Sequence, residues 1–407
     1  MNKVNKLKIF NDPIYGFITI PNSLIFDLIA HKYFQRLRRI SQMGMTYLVY
    51  PGAHHTRFHH AMGSMHLMQK AINVLRFKGV DISQEEEDAL LIAILLHDIG
   101  HGPFSHAMEH SIVTGISHEA ISLLFMKRLN QEFNGSLTLA IQVFKGEYHR
   151  NFMCQLISSQ LDMDRADYLK RDSFYTGVAE GNINAERLIT MLNVVDDELV
   201  VEEKGIYSVE KFLVARRLMY WQVYLHKTSV VAEQLLMRVL KRAKELSNKG
   251  VDLKASSALT YFLKNDINKS NFTMDTIDVF AHLDDYDIVS AMKEWQYHDD
   301  FVLKNICSMI INRDLLKVKL KEKKHKIEDV QAHKERLMKQ HDISAEEAGY
   351  FVFTGEVSNQ AYELKSQNIN ILLKSGKIKD IVKASDQLNL KALSKPVTKY
   401  YICYPKE

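Results

Sequence analysis

The sequence predicts a mainly α protein: a helical bundle with small β-hairpins, joined to a smaller α+β C-terminal subdomain. Three observations predict it. Apolar residues recur at helical spacing through most of residues 1–250. Turn signals flanking short β-prone stretches interrupt that pattern only briefly. Past Gly250 the periodicity weakens, and β-prone aromatic stretches close the chain. The predicted division is a core over 1–250 and, over 251–407, a helical extension with the small α+β subdomain.

In order, Asn11-Asp12-Pro13 and Tyr15-Gly16 bracket β-like stretches such as Phe17-Ile18-Thr19-Ile20, which reads as a hairpin. From Ser23 to Met43, Leu24, Ile25, Leu28, Ile29, Phe34, Leu37 and Ile40 mark a helix. A second covers 57–78. A third covers 84–98, with Glu85, Glu86, Glu87 and Asp88 near its N-terminus, where acidic groups suit the helix dipole. Helices are expected at 118–132, 137–144, 151–170, 184–194 and 208–247, with a short hairpin over Glu198–Ile206 turning at Lys204-Gly205. Weaker helical patterns cover 253–265, 274–281 and 285–296. The charged stretch Lys317–Lys339 reads as a solvated helix face or extended arm. Tyr350-Phe351-Val352-Phe353 and Tyr400-Tyr401-Ile402-Cys403-Tyr404 read as strands with helical stretches between them.

The 407 residues are 46% hydrophobic and 25% charged, the composition of a soluble globular chain. A formal charge of +4 does not by itself point to nucleic acid. Cys154, Cys307 and Cys403 are odd in number and far apart, with no zinc-type spacing, as in a reducing compartment. The N-terminus lacks a signal-peptide pattern, and the apolar run 89–96 is too short for a bilayer. A cytoplasmic protein without membrane contact is expected.

Ten of the 18 histidines lie between His54 and His118, where even scatter would put about three, and such clustering favours a metal or acid–base site. The apolar run Ala-Leu-Leu-Ile-Ala-Ile-Leu-Leu (89–96) ends in His97-Asp98, with Gly100, Gly102 and Pro103 following. A carboxylate closing an apolar helix needs a cation or hydrogen bonds. His60, His97, Asp98 and Asp164 are the candidate metal ligands. Two imidazoles and two carboxylates suit Mn, Fe, Ni or Zn better than Ca, and leave positions for water and substrate; Mg stays among the candidate divalent ions.

The spacing H…HD…D is carried by Arg57-Phe58-His59-His60, Leu96-His97-Asp98-Ile99-Gly100-His101-Gly102-Pro103-Phe104-Ser105-His106 and Asp162-Met163-Asp164-Arg165-Ala166-Asp167-Tyr168. It resembles the HD-domain metal-dependent phosphohydrolases, and within them the dNTP triphosphohydrolase branch. Asn11-Asp12-Pro13-Ile14-Tyr15-Gly16, Gln35-Arg36-Leu37-Arg38 and Tyr50-Pro51-Gly52-Ala53 extend the likeness, which covers residues 8–245. The resemblance implies an HD-domain helical bundle that cleaves a dNTP to deoxynucleoside and tripolyphosphate, with water attacking the α-phosphorus.

On that resemblance Arg57 contacts the α-phosphate, since a guanidinium can grip two oxygens. Arg165 stands where the family usually has lysine, and Arg216 reaches the terminal phosphates. His106 is the favoured proton donor to the leaving oxygen, with Glu109 to orient it. His101 is a phosphate contact, and His118-Glu119 is a second acid–base pair. Gln42, Tyr168 and Asp172 match positions facing the sugar and its 3′-hydroxyl. Met43 and Tyr224 wall the 2′ side, and His226 lies near the base.

The family implies a homo-oligomer, dimer or tetramer, with a regulatory nucleotide. Lys8, Asp12 and Arg38 keep part of that pattern, while Ala30 replaces an acid used for guanine recognition. Two alternatives stand beside the dNTPase reading. One is an HD-type enzyme acting on a nucleoside monophosphate or signalling nucleotide. His59-His60 is followed by Ala61, which is unlike the cyclic-dinucleotide enzymes. The other is a nucleotide- or nucleic-acid-binding protein with a weakly active site, using basic stretches such as Lys317–Lys326.

Overall fold

Polar caps cut the apolar periodicity of this chain into helices shorter than the sequence pattern suggests. The structure is a computed structural model and describes residues 8–105, 107–108, 111–364, 368–386 and 390–406. The N-terminal hairpin pairs Ile9–Asp12 with Gly16–Thr19, as expected. Its turn is held by Asp12, whose Oδ1 accepts from the Ile14 and Tyr15 amides, and by Gly16 at φ +74°.

The single helix expected over 23–43 is broken into α1 (Ser23–Ala30), α2 (Lys32–Gln35) and a 3₁₀ turn (Arg36–Arg39). The break is His31, whose extended backbone lets its Nδ1 accept from the Tyr33 amide and cap α2. After a second 3₁₀ turn at Gly44–Leu48 come α3 (Arg57–Phe77) and α4 (Gln84–Leu96). A Ser83/Glu86 capping box starts α4. Its Ala89–Leu96 run is buried throughout, so each Leu or Ile there contributes about 1.5–3 kcal/mol of burial.

Next are α5 (His118–Glu132), α6 (Thr138–Phe144), α7 (Asn151–Ile157), α8 (Met163–Thr176) and α9 (Ala185–Thr190). The expected helix 151–170 is therefore two. Asp162 adopts an extended backbone, and its side chain caps α8 by accepting from the Arg165 amide. The expected helix 184–194 ends at Thr190, because Leu192–Val195 is a strand pairing with Glu198–Glu202. That hairpin turns at Asp196-Asp197, both left-handed (φ 51° and 62°), rather than at Lys204-Gly205.

The expected helix 208–247 is also two, α10 (Ile206–Met219) and α11 (Lys227–Asn248), joined by a π turn at Tyr220–Tyr224. His226 caps α11 as His31 caps α2. Then follow α12 (Ser257–Lys264), α13 (Met274–Phe280), α14 (Asp285–Trp295) and α15 (Phe301–Ile311), the last not expected from the sequence.

The stretch 317–339 is not one arm but the strand Lys317–Lys321 followed by α16 (Ile327–His341). Tyr350 and Phe351 end α17 (Ala345–Phe351), and the strand starts at Phe353. The closing strand Val397–Tyr404 pairs antiparallel with both Lys317–Lys321 and Phe353–Asn359. The strands Asn370–Leu372 and Ile378–Asp380 extend the hairpin sheet, through parallel pairing with Glu198–Glu202. The protein is mainly α. At its centre α3 packs between α4 and α8, and this stacking brings the site together. Among the described residues no helix is long and apolar enough to cross a membrane.

Candidate functional site

His60 lies in the first turn of α3, with its side chain wholly buried. Its Nδ1 is 2.8 Å from Oδ2 of Asp167 on α8. Arg171 holds both Asp167 oxygens, at 2.9 and 3.0 Å, and reaches Asp12 of the hairpin at 2.8 Å. A carboxylate at Nδ1 makes that nitrogen the donor, and so turns the Nε2 lone pair inward. His97 caps the C-terminus of α4 and is fixed in the same sense, its Nδ1 donating to the Ile94 carbonyl at 2.6 Å.

Both Nε2 atoms are buried and make no hydrogen bond among the described residues. That of His60 is 3.1 Å from Asp164 Oδ1 and 3.7 Å from Asp98 Oδ2. That of His97 is 3.6 Å from Asp164 Oδ1 and 3.5 Å from Asp98 Oδ1. Lone pairs facing carboxylates at these distances require positive charge between them.

The titration tendencies express the same demand. Burial pushes the His60 imidazole down, but the Asp164 and Asp167 carboxylates outweigh it and take it up to about 10. Burial would raise Asp164, yet His60 and His97 hold it far below the usual carboxylate range. Donor atoms of His60, His97 and Asp164 lie within 4.8 Å of one another, so the residues fit a divalent cation. Asp98, His101 and His118 form a second set that shares no residue with the first. There the Arg57 guanidinium already pairs with Asp98 Oδ2, so a cation would meet a like charge.

The turn carrying His97 and Asp98 is braced from three sides. Ser122 Oγ donates to the His97 carbonyl (2.7 Å) and accepts from the Gly100 amide (2.9 Å). A Cβ on Gly100 would lie 2.2 Å from the His118 carbonyl oxygen, so only glycine fits. The buried Arg36 donates to the carbonyls of Ile99, His101 and Leu283, at 2.8–3.1 Å. Further on, Phe104 and Ser105 sit at φ 50° and 60°, an uncommon backbone for such residues. Asp285 holds the Phe104 amide there, and Ser105 Oγ accepts from Arg57 at 2.7 Å.

A cavity of about 410 Å³ opens onto this cluster. Its lining includes Arg57, Asp98, His101, His118 and Asp164. Gln42, Met43, Tyr168, Asp172 and Tyr224 line the rest, with Ser229 and Glu233 of α11. The His101 and His118 rings stack at 3.8 Å, and His118 Nε2 is 3.2 Å from Glu119 Oε1.

Other expected site residues lie off the cavity lining. Arg165 donates to the Ser159 carbonyl and to Asp162. Arg216 donates to the Ala361 carbonyl. His226 is the cap of α11. Of the residues matching the regulatory pattern, Asp12 is buried on Arg171, while Lys8 and Arg38 lie over the rings of Phe26 and Phe58. His106 and Glu109 fall outside the described residues.

Sequence reasoning missed Asp167, Arg171, Ser122, His55 and Glu233. Only Asp167–Arg171 left a signal, an i,i+4 acid–base pair on α8 just after Asp164.

Residues 57–172 match the HD domain family, and residues 183–275 match the HD associated region. The uncharacterized protein YwfO of Bacillus subtilis is 36% identical over 321 residues, covering 77% of this chain and 72% of that protein. The deoxynucleoside triphosphate triphosphohydrolase SAMHD1 homolog of Dictyostelium discoideum is 31% identical over 248 residues, covering 56% of this chain and 48% of its own length. The crystal structure of a phosphohydrolase from Bacteroides thetaiotaomicron superposes with a TM-score of 0.96 at 52% identity, covering 98% of this chain and 100% of that one. With His97-Asp98 buried beside His60 and Asp164, and relatives this similar along most of its length, the chain belongs to the HD-domain family of metal-dependent phosphohydrolases.

Proposed function

We propose that the protein is a dNTP triphosphohydrolase, releasing deoxynucleoside and intact tripolyphosphate. One observation carries the reading: a single cavity is lined by two chemically different groups of residues. One, Arg57, Asp98, His101, His118 and Asp164, adjoins the buried His60 and His97 imidazoles and their demand for positive charge. The other, Asp172, Gln42 and Tyr168, offers hydrogen bonding suited to an uncharged group. A phosphate group suits the first and a sugar the second. A cavity of about 410 Å³ is of small-molecule size. The Dictyostelium relative, named for this activity, supports the same reading.

His60, His97, Asp98 and Asp164 would hold the divalent metal, which when bound polarises a phosphoryl oxygen and lowers the pKa of water. Arg57, already oriented by Asp98 and Ser105, faces negative charge developing on the α-phosphate. His118, stacked on His101 with its Nε2 facing Glu119, is a described imidazole placed to take part in proton transfer to a leaving 5′-oxygen. Burial and the nearby Arg57 charge push His101 well below the usual imidazole range, so it stays neutral and donates from Nε2 to Asp98.

Incubation of the purified protein with each of the four dNTPs and Mn, with products separated by chromatography, tests the proposal. Deoxynucleoside and tripolyphosphate in equal amounts are expected. Stepwise release of single phosphates, or no product from any dNTP, overturns it.

A further inference from the structure

We propose that His55 is a positioning residue that fixes Asp172 as a hydrogen-bond acceptor and so makes the cavity select ligands carrying a free sugar hydroxyl. The inference rests on the nucleotide reading above and deepens it.

His55 precedes α3 and is not part of the cavity lining. Its side chain is wholly buried, and its Nε2 is 2.6 Å from Asp172 Oδ1. The ring stacks on Tyr175, with centroids 4.4 Å apart and planes 16° apart. Its Nδ1 has no partner among the described residues. An unpartnered acceptor is tolerated better than an unpartnered N–H. The proton therefore belongs on Nε2, and His55 donates to Asp172. Tyr224 OH donates to the other oxygen at 2.8 Å. The His55 carbonyl also accepts from the Gln42 amide at 3.0 Å, so one residue ties together two parts of the cavity wall.

Asp172 thus has a donor on each oxygen and only acceptor capacity left for a ligand. The ligand group meeting it must donate a hydrogen and carry no negative charge. A hydroxyl does so, whereas a phosphate ester in its place faces a carboxylate. Gln42 Oε1 and Tyr168 OH, of two further lining residues, are buried without hydrogen-bond partners among the described residues, the pattern of groups awaiting a ligand's polar atoms. On a nucleotide whose phosphates meet Arg57 and the His97-Asp98 cluster, a sugar hydroxyl is the donor suited to Asp172, and the 3′-hydroxyl is the one the test removes.

The test compares kcat/KM for a dNTP with that for the matching 2′,3′-dideoxynucleotide, in wild type, His55→Phe and His55→Gln. Wild type is expected to favour the dNTP by roughly a hundredfold, since a lost hydrogen bond to a charged group is expensive. His55→Phe keeps the ring and loses the N–H, and the ratio should fall about tenfold or more. His55→Gln, which retains an N–H donor, should keep most of it. If His55→Phe does not fold, Tyr224→Phe removes the other donor and must lower the ratio similarly. A folded His55→Phe with the wild-type ratio overturns the inference while leaving the dNTPase reading intact. So does a wild type that cleaves both substrates equally. A wild type that cleaves neither overturns the dNTPase reading and this inference together.

Discussion

Asp167 Oδ2 lies 2.8 Å from His60 Nδ1, and that contact decides which nitrogen of His60 faces the cluster. Both Asp167 oxygens are already taken, by Arg171 and by His60. Asp167 sets the tautomer, and Arg171 sets Asp167. Asp167→Ala should therefore weaken binding of Mn by roughly 10–100-fold while the fold persists. Isothermal titration of the apo protein with Mn measures this. Wild-type affinity in the variant would refute the tautomer argument.

A related prediction concerns Gly63, one turn after His60 on α3. A Cβ there would lie 2.0 Å from Asp167 Oδ1 and 2.2 Å from Arg171 Nη2. Neither group can move without breaking the pair behind His60. Gly63→Ala should lower stability by about 1–3 kcal/mol and lose metal affinity as Asp167→Ala does. Urea unfolding and the same titration report the two effects. A stable variant with unchanged metal binding would show that the helices part without disturbing Asp167.

The direct ligand test is Asp164→Ala. Asp164 Oδ1 approaches both unpartnered imidazole nitrogens, so its loss should remove metal and turnover together. Metal content by plasma mass spectrometry and activity on the same sample are read side by side. Full metal content with full activity would exclude Asp164 from the ligand set.

Much of the candidate site was legible in the sequence because its proposed ligands interrupt patterns. His97-Asp98 ends an apolar run, and Asp164 stands in an acidic cluster at a helix start. Partners such as Asp167 left little trace, because pairing with His60 spans 107 residues and depends on how α8 packs on α3. His55 left none. It looks like one histidine among ten until Asp172, 117 residues away, is set against it. The helix breaks were illegible for a local reason. At His31 and His226 the ring nitrogen accepts the amide two residues on, and apolar periodicity does not register such a bond. The hairpin turn was misplaced because Lys204-Gly205 is the more conventional glycine-bearing signal. The backbone instead turns at Asp196-Asp197, aspartate being one of the few residues that tolerate left-handed geometry.

Arg36 extends the argument from ligands to scaffold. It is fully buried, and burial pushes its guanidinium down to about 9. Two of its three carbonyl partners, Ile99 and His101, directly follow His97-Asp98, and the third, Leu283, lies on the segment leading to α14. Arg36→Leu leaves those carbonyls buried without a donor, at about 1–3 kcal/mol for each one unmet. Denaturant unfolding should show a loss of about 3 kcal/mol or more. A loss below 1 kcal/mol would mean that water or relaxation replaces the bonds.

The last prediction concerns acid. Asp300 caps α15 and takes Nη2 of Arg242 on α11 at 2.6 Å. Burial alone would raise its carboxyl, but hydrogen bonds from Arg242 and from the Leu303 amide outweigh that and hold it below its ordinary value. A carboxylate whose folded pKa is depressed stabilises the fold fully above its unfolded pKa of about 3.9, and loses that contribution as pH falls through the folded pKa. At pH 7 Arg242→Gln should therefore be less stable than wild type. The gap should narrow as pH drops from about 4 toward 2, because protonated Asp300 no longer distinguishes arginine from glutamine. Unfolding midpoints for both proteins across that range supply the check. A gap that stays constant would assign Arg242 a packing role, independent of the Asp300 charge.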